Sequence, residues 1–513
     1  MKGELLIAGS GLTLDQVENF LKEKIFVTLV EESRKRLIRS REIVLEYIGK
    51  GETAYGVNTG FGKLSTVRIS SEELDKLQKK LLLSHACGVD EPVSEDVVRL
   101  MMLLKVNGLA AGYSGCSPEV VFKLVEFLNK EIVPVVPARG SVGASGDLAP
   151  LAHMSLPLIG MWECFYKGKR VEARTLIEEG LYEPIKLGPK DGISLINGTQ
   201  FSTALLSLSF FELKKLIYLS ELAASMSVEA MLATDTCFRE EIHRVRRQKG
   251  QMKAARHLWN FLRHSEIVTS HKDCEKVQDP YSFRCSPQVF GVAWDAIEYV
   301  ENVLEREINA VTDNPVVLPD PGEILSGGNF HAEPIAFCAD MLAVAIAEIG
   351  NLSERRIACL IDSNMSGLPP FLTEKSGINS GFMLPHVTVA SLVSMNRGLA
   401  HPFSVDNIPT SANQEDHVSM APNACLRLFD MIKNLKKVVW VEFLSAAQGI
   451  DFRRPLKSGV GVRVGYEKVR SIVEHLGEDR LLYKDINLYN KLFGDKNFIE
   501  QVVRIAEGGA SEG

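Results

Sequence analysis

Apolar residues recur at helical spacing through most of the chain beyond residue 200. Four stretches carry the pattern: Thr203 to Leu232, Pro287 to Thr312, Glu333 to Ile361, and Asn434 to Gln448. The first is apolar on several faces and is interrupted only by Glu212, Lys214, Lys215, Glu221 and Glu229; a helix that is hydrophobic nearly all round belongs in an interior. The third alternates small and large apolar residues (AFCADMLAVAIAEIGNLSERR), as closely packed helices do. Long helices in the middle of the chain, with shorter and more broken parts at either end, predict a mainly α fold with a central helix bundle. The expected organisation is one continuous structural unit: an N-terminal globular part over 1–200, the bundle over 201–450 and a C-terminal helical part over 451–513. The tail 507–513 (EGGASEG) is expected to fray.

Composition narrows the function classes. With 513 residues, 45% of them hydrophobic and 24% charged, the chain has the makings of a large globular core. The formal net charge of -7, with both signs interleaved, provides no basic field for nucleic acid and no polybasic segment for a membrane surface, so a small molecule is the expected partner. Nine scattered cysteines, an odd number without a CxxC pair, point to reduced thiols and a cytoplasmic setting. The first residues (MKGELLIAGSGLTLDQVENFL) lack the apolar core of a signal peptide. The longest charge-free apolar stretch, Leu148 to Trp162, holds two prolines and is shorter than a membrane span.

Between the helical stretches lie loops rich in Gly, Asn and polar residues, the usual seat of function on a rigid scaffold. The most informative is GSVGASGDLAPLAH. In a tight turn, the amide nitrogen of Gly146 can attack the carbonyl carbon of Ala144, and only glycine, with no Cβ, accepts the approach that such a ring demands. Loss of water from the ring and from the Ser145 side chain would leave an exocyclic methylene conjugated to an imidazolone, an electrophile that no standard side chain supplies. Gly140 and Gly143 assist the bend, and Asp147 is placed to move protons during closure. Other readings of the segment fare worse. There is no GxSxG elbow, because Gly146 and Asp147 follow Ser145 directly. No lysine follows to make a phosphate loop. No metal site is expected, since His331 and Glu333 are not backed by HExxH or a Cys/His cluster. A plain Gly-rich turn before a helix would explain this segment alone, but not the other segments that accompany it.

The segment resembles the prosthetic-group loop of the histidine and aromatic amino acid ammonia-lyases, which use 4-methylidene-imidazole-5-one (MIO). The resemblance runs from TAYGVNTGFG to SANQEDHVSM and into the helices beyond, through six separated motifs in the same order. It implies a fold of the fumarase and aspartase superfamily, an MIO group formed from Ala144, Ser145 and Gly146 with no metal or nucleotide, and a homotetramer whose active sites draw on more than one subunit. It also assigns roles. Tyr281, in QDPYSFRCSPQ, is the candidate base for the β-proton, and Tyr55, on the Gly-rich loop with Gly60, is the second candidate for proton chemistry. Arg284 is implied to clamp the substrate carboxylate, a task suited to a guanidinium fork. Asn197 (NGTQ), Gln278 and Gln414 supply polar contacts around cofactor and substrate, and Phe330 (GGNFHAEP) packs near the substrate or cofactor ring. A tyrosine base, with an ordinary pKa of about 10, requires positive charge nearby.

Selectivity falls to the groups that meet the substrate ring. An imidazole needs hydrogen-bonding partners that a phenyl ring would leave unsatisfied. His85 in LLLSHACG and Glu415 in NQED match the pattern of the histidine-specific members, and Glu415 is counted with Tyr55 and Tyr281 among the catalytic candidates. The expected reaction is loss of ammonia from L-histidine to give trans-urocanate. Departures from the family pattern, namely Ala332 in HAEP, the Met161-Trp162-Glu163-Cys164 segment, Pro385-His386 and Met395, keep a tyrosine or other aromatic ammonia-lyase and a 2,3-aminomutase open as alternatives. An inactive helical scaffold without MIO is the alternative of another class.

Overall fold

The computed structural model describes residues 3–52, 56, 57, 59, 73–271 and 277–509. The chain divides into two compact units, each gathering three separate stretches of sequence: 1–208, 300–340 and 402–426 in the first, 209–299, 341–401 and 427–513 in the second. Four long helices, Gln200–Met231, Ser286–Glu307, Glu333–Ile361 and Ala421–Asp451, contribute residues to both.

All four were foreshadowed by the hydrophobic pattern, and their ends show where the pattern misleads. Glu333–Ile361 has the expected bounds. Ser286–Glu307 stops short of the expected Thr312, because Asn309 turns its side chain onto the backbone of Leu12, accepting from its N–H at 2.8 Å and donating to its carbonyl at 2.8 Å. Ala421–Asp451 starts far ahead of the expected Asn434: Pro422 sits in its first turn, where a missing N–H costs nothing. Among the described residues Glu333–Ile361 is the helix long and apolar enough to cross a membrane by length and composition, and 67% of its most apolar window is buried within the protein.

Every described strand lies in the first unit. Glu4–Ile7 pairs in parallel with Phe26–Leu29, and Val89–Pro92 runs antiparallel to Pro137–Arg139. Val133–Pro134, Glu163–Tyr166 and Lys169–Glu172 form a small antiparallel sheet, and Val316–Leu318 pairs with Glu323–Leu325. These short ladders lie around a helical core. Its centre is Glu95–Ala110, started by Glu95 and Asp96 in the favourable first turn and buried along nearly its whole length, Lys105 and Asn107 included. It packs on Pro118–Lys130, which opens on a proline at its first position.

The second unit is helical among its described residues and is held by buried charge as well as apolar packing. Arg356 and Glu442 are fully buried, with Nη2 to Oε2 at 2.9 Å, and the Ser227 hydroxyl donates to the same carboxylate at 2.8 Å. The tail does not fray at Glu507. Its carboxylate accepts from Tyr218 at 2.8 Å and Arg256 at 2.6 Å and lies 3.2 Å from His257 Nε2, so Glu507 is pinned by hydrogen bonds that composition does not reveal, while 510–513 lie outside the described residues. His257 Nδ1 lies 2.7 Å from Glu221, which also accepts from the Trp294 indole at 2.7 Å. Burial works against a charge on His257, but Glu221 and Glu507 outweigh it and hold the imidazole above its ordinary pKa.

A histidine raised in the folded state stabilises fully below its unfolded pKa of about 6.5, and that contribution is lost as the pH rises through the folded value. Replacing His257 by Leu is therefore expected to cost roughly 3 kcal/mol near pH 6, since it strands the buried Glu221 carboxylate. Urea unfolding of both proteins at pH 6 and pH 9 checks this: the gap should narrow at the higher pH, and an equal gap would show His257 to be neutral throughout.

Candidate active site

The predicted ring-forming tripeptide sits in a loop clamped from two sides, both within the first unit. On one side Gly146 forms a parallel bridge with Gly198, the Asp147 N–H donates to the Gly198 carbonyl at 2.8 Å, and a β-carbon on Gly146 would overlap that same carbonyl. On the other, the Met420 N–H donates to the Val142 carbonyl at 2.8 Å, and a β-carbon on Gly143 would overlap the Ser419 hydroxyl. Asp147 then turns its carboxylate to the start of Gln200–Met231, accepting from the Ser202 N–H and hydroxyl at 2.8 Å each and so capping first-turn donors that helix geometry leaves open. Burial pushes the Asp147 carboxyl up to about 6 against those hydrogen bonds.

Between the clamps the backbone is strained. Ser145 has φ of 51°, a left-handed conformation rare for a residue with a β-carbon, and Gly146 follows at 78°. Two side chains converge on Ser145. Asn197 Nδ2 donates to its carbonyl oxygen at 2.6 Å, and its hydroxyl donates to Glu415 Oε1 at 3.1 Å. The second Glu415 oxygen accepts from the Thr410 hydroxyl at 2.7 Å, and Thr410 and Glu415 exchange backbone hydrogen bonds at 3.0 and 3.3 Å. Glu415 is delivered by a turn in which Ser411, Ala412 and Asn413 have φ of 52°, 52° and 64°. Three successive non-glycine residues in the left-handed region store strain of the kind found at functional sites.

This geometry fits the MIO group. The tight approach of Gly146 to Gly198 leaves room for glycine only, Asn197 already grips the carbonyl that would become the ring carbonyl, and Asn197 Oδ1 is buried without a partner. His85 ends the helix Leu74–His85, where its Nδ1 meets the Leu81 carbonyl at 2.9 Å. Because a carbonyl only accepts, Nδ1 carries the proton and Nε2 is left as an acceptor. Burial holds the His85 pKa below its ordinary value despite the Leu81 hydrogen bond and the Glu415 charge, which keeps the ring neutral. Phe330 is half-buried and Gln414 exposed.

Gln278, Tyr281 and Arg284 belong to the second unit. Tyr281 is 70% exposed, and the Arg284 guanidinium lies 4.5 Å over its ring. Arg284 Nε donates to the Asp279 carbonyl at 3.0 Å, which fixes the plane of the fork. Gln278 is exposed beside them. Tyr55 and Gly60 lie outside the described residues.

Several contributors escaped the sequence reading. Thr410 holds Glu415, Ser202 holds Asp147, and Lys105 donates to the carbonyls of Asn197 and Ser194 at 2.8 and 3.2 Å. A signal for Lys105 existed: one charge in the apolar run MMLLKVNGLA. His331 and Glu333 gain a third potential ligand, His417, and the three offer atoms within 4.8 Å of one another, a group able to hold a metal ion that sequence separation concealed. Of the departures from the family pattern, Trp162 donates to the Val135 carbonyl at 2.7 Å and packs on His153, while His386 pairs with Glu354 at 2.7 Å.

A family model described as aromatic amino acid lyase matches residues 12–471. The chain is 50% identical over 486 residues to a histidine ammonia-lyase of Desulfotalea psychrophila, covering 95% of each. It is 49% identical over 491 residues to a histidine ammonia-lyase of Vibrio cholerae, covering 95% of this chain and 96% of that one. The solved structure of histidine ammonia-lyase from Trypanosoma cruzi matches with a TM-score of 0.89 at 37% identity, covering 98% of this chain and 95% of the other. A clamped Ala-Ser-Gly loop on a mainly helical fold of the fumarase and aspartase superfamily thus stands beside close likeness along nearly the whole length, and the chain belongs to the aromatic amino acid lyase family, as a carbon–nitrogen lyase that eliminates ammonia.

Proposed function

We propose that the protein eliminates ammonia from L-histidine to give trans-urocanate, with Ala144, Ser145 and Gly146 cyclised to MIO. The observation that carries this reading is the meeting of Ser145 with Glu415, an imidazole-competent carboxylate, at 3.1 Å. Formed from Ala144, Ser145 and Gly146, the ring would supply an electrophilic carbon that eases departure of the substrate amine.

The remaining work is divided among the predicted site residues. Asn197 holds the Ser145 carbonyl and stabilises negative charge there, as preorganised donors do at developing oxyanions. Glu415, tied by Thr410, accepts an imidazole N–H, and the Nε2 of neutral His85 can accept the second N–H of a substrate imidazolium. A phenyl side chain would leave both groups without a partner, which favours histidine over phenylalanine. Arg284, its plane set by Asp279, binds the substrate carboxylate, and Tyr281 beside it takes the β-proton. Phe330 lines the ring site, Gln278 and Gln414 add polar contacts, and Tyr55 serves proton transfer. Asp147, locked to Ser202, moves protons during ring closure.

The active assembly is a homotetramer in the cytoplasm. Leu384, Val387 and Met395 on Met383–Leu399 are 54–55% exposed, apolar surface that supports association with further copies.

Incubating the purified protein with L-histidine, L-tyrosine and L-phenylalanine, while following ammonia and the conjugated acrylate, tests the reading. Turnover of histidine alone is expected, together with an intact mass short of two waters; both should vanish in Ser145→Ala. Tyrosine turnover instead would reassign the substrate, and a mass that retains both waters would reject the cofactor. The Glu415→Gln variant should lose about 10–100-fold in kcat/KM for histidine, the worth of one charge-assisted hydrogen bond. Steady-state kinetics that show no loss would remove Glu415 from imidazole recognition.

A further inference from the structure

Lys105 is the buried charge next to the site that the reaction above does not use. It projects from Glu95–Ala110, is 1% exposed, and donates from Nζ to the carbonyl of Asn197 at 2.8 Å and that of Ser194 at 3.2 Å. Those carbonyls close the short helix Asp191–Ile196, whose C-terminal end would otherwise leave them without donors. Asn197 is the residue after that helix, with extended backbone, and its side chain reaches the Ser145 carbonyl at 2.6 Å. A single contact path therefore runs from the ammonium through Asn197 to the oxygen that becomes part of the ring.

A neutral donor would satisfy two carbonyls at far lower desolvation cost than a lysine. Among the described residues no carboxylate lies within ion-pair reach of Lys105: Asp313 and Asp147 attract it from farther away, Lys190 repels it, and the Cys116 thiol is the other titratable neighbour. Asp313 is taken up by Lys190 at 3.0 Å, and Asp147 by Ser202. The ammonium's direct contacts are thus the backbone that carries Asn197.

We propose that Lys105 is a positioning residue of the elimination reaction: it fixes Asn197 against the Ser145 carbonyl and places a positive charge behind that contact, aiding both ring closure and turnover. This role rests on the cyclised loop proposed above. Lowered toward about 8 by burial, the ammonium is still largely charged at neutral pH.

The test compares full-length wild type with Lys105→Met and Lys105→Arg. Three readouts are needed: intact mass for the two lost waters, kcat and KM taken separately with L-histidine, and far-UV circular dichroism as a check on folding. Lys105→Met should keep its helical signal, show a smaller cyclised fraction, and lose roughly 10–100-fold in kcat, somewhat less than removal of a direct oxyanion donor, with KM changed by less than about threefold. Lys105→Arg, which keeps charge and donors, should recover most of both. If Lys105→Met does not fold, Lys105→Gln, with a neutral donor for the same carbonyls, carries the comparison. A folded variant without the charge that cyclises and turns over like wild type would overturn the proposal. A wild-type chain that keeps both waters would reject the cyclised loop instead, so the two failures are distinguishable.

Discussion

Gly146 and Gly198 meet back to back, and the first unit's chemistry depends on that contact. Their approach brings the Asp147 N–H onto the Gly198 carbonyl and the Asp147 carboxylate onto the first turn of Gln200–Met231. A loop that must present a strained Ser145 cannot rely on its own hydrogen bonds, because its backbone is turned into conformations that satisfy few of them. The start of a long, buried helix supplies what the loop lacks. Rigidity passes from the helix through Asp147 to the tripeptide, and a β-carbon at Gly146 would collide with the Gly198 backbone and open the contact.

The other face of the site is built by a different device. Glu415 follows three left-handed residues, and that strain is held by the Thr410 side chain and by the two backbone bonds it shares with Glu415. Met420, five residues on, returns to the ring-forming loop through Val142. The segment that carries Glu415 is thus tethered to the loop that carries Ser145, which fixes their separation without either lying in regular secondary structure. Such preorganisation matters for elimination, where a small misplacement of reacting atoms costs large factors in rate.

The long helices were legible because burial on several faces writes itself as apolar sequence, most fully in Glu333–Ile361. The pattern failed at Ala421–Asp451, whose first turns carry a proline, Arg427 and Asp430; there Arg427 is answered by the carbonyls of Leu399 and His401. Glu507 was misjudged for the same reason, since its Gly-rich surroundings hide the partners it finds in Tyr218, Arg256 and His257. At the site, the sequence motifs pointed to Ser145, Asn197 and Glu415, and these do form one hydrogen-bonded chain. Thr410, Ser202 and Lys105 were invisible because their roles arise from contacts made far along the chain, and a lone Thr, Ser or Lys carries no motif.

Buried charge in the first unit gathers around the short helix Asp191–Ile196 and the turn that follows it. Lys105 serves the carbonyls of Ser194 and Asn197; Lys190 joins Asp313, which also accepts from Ser114 at 2.6 Å; Asp191 accepts from the N–H groups of Ser117 and Gly188 at 2.7 and 2.8 Å. Apolar residues of equal volume would fill the same space and, by the usual balance of desolvation against attraction, hold the fold as well or better. What they would not do is pair with peptide groups over residues 188–200, where a six-residue helix and a turn leave N–H and C=O groups that neither ladder nor long helix can use. These charges act in place of secondary structure. Lys105 among them holds the backbone of the Asn197 turn, and that turn positions the hydrogen bond to the Ser145 carbonyl. The polar interior therefore belongs to the machinery that fixes the geometry of the reacting loop, at a cost in desolvation that the surrounding apolar core absorbs.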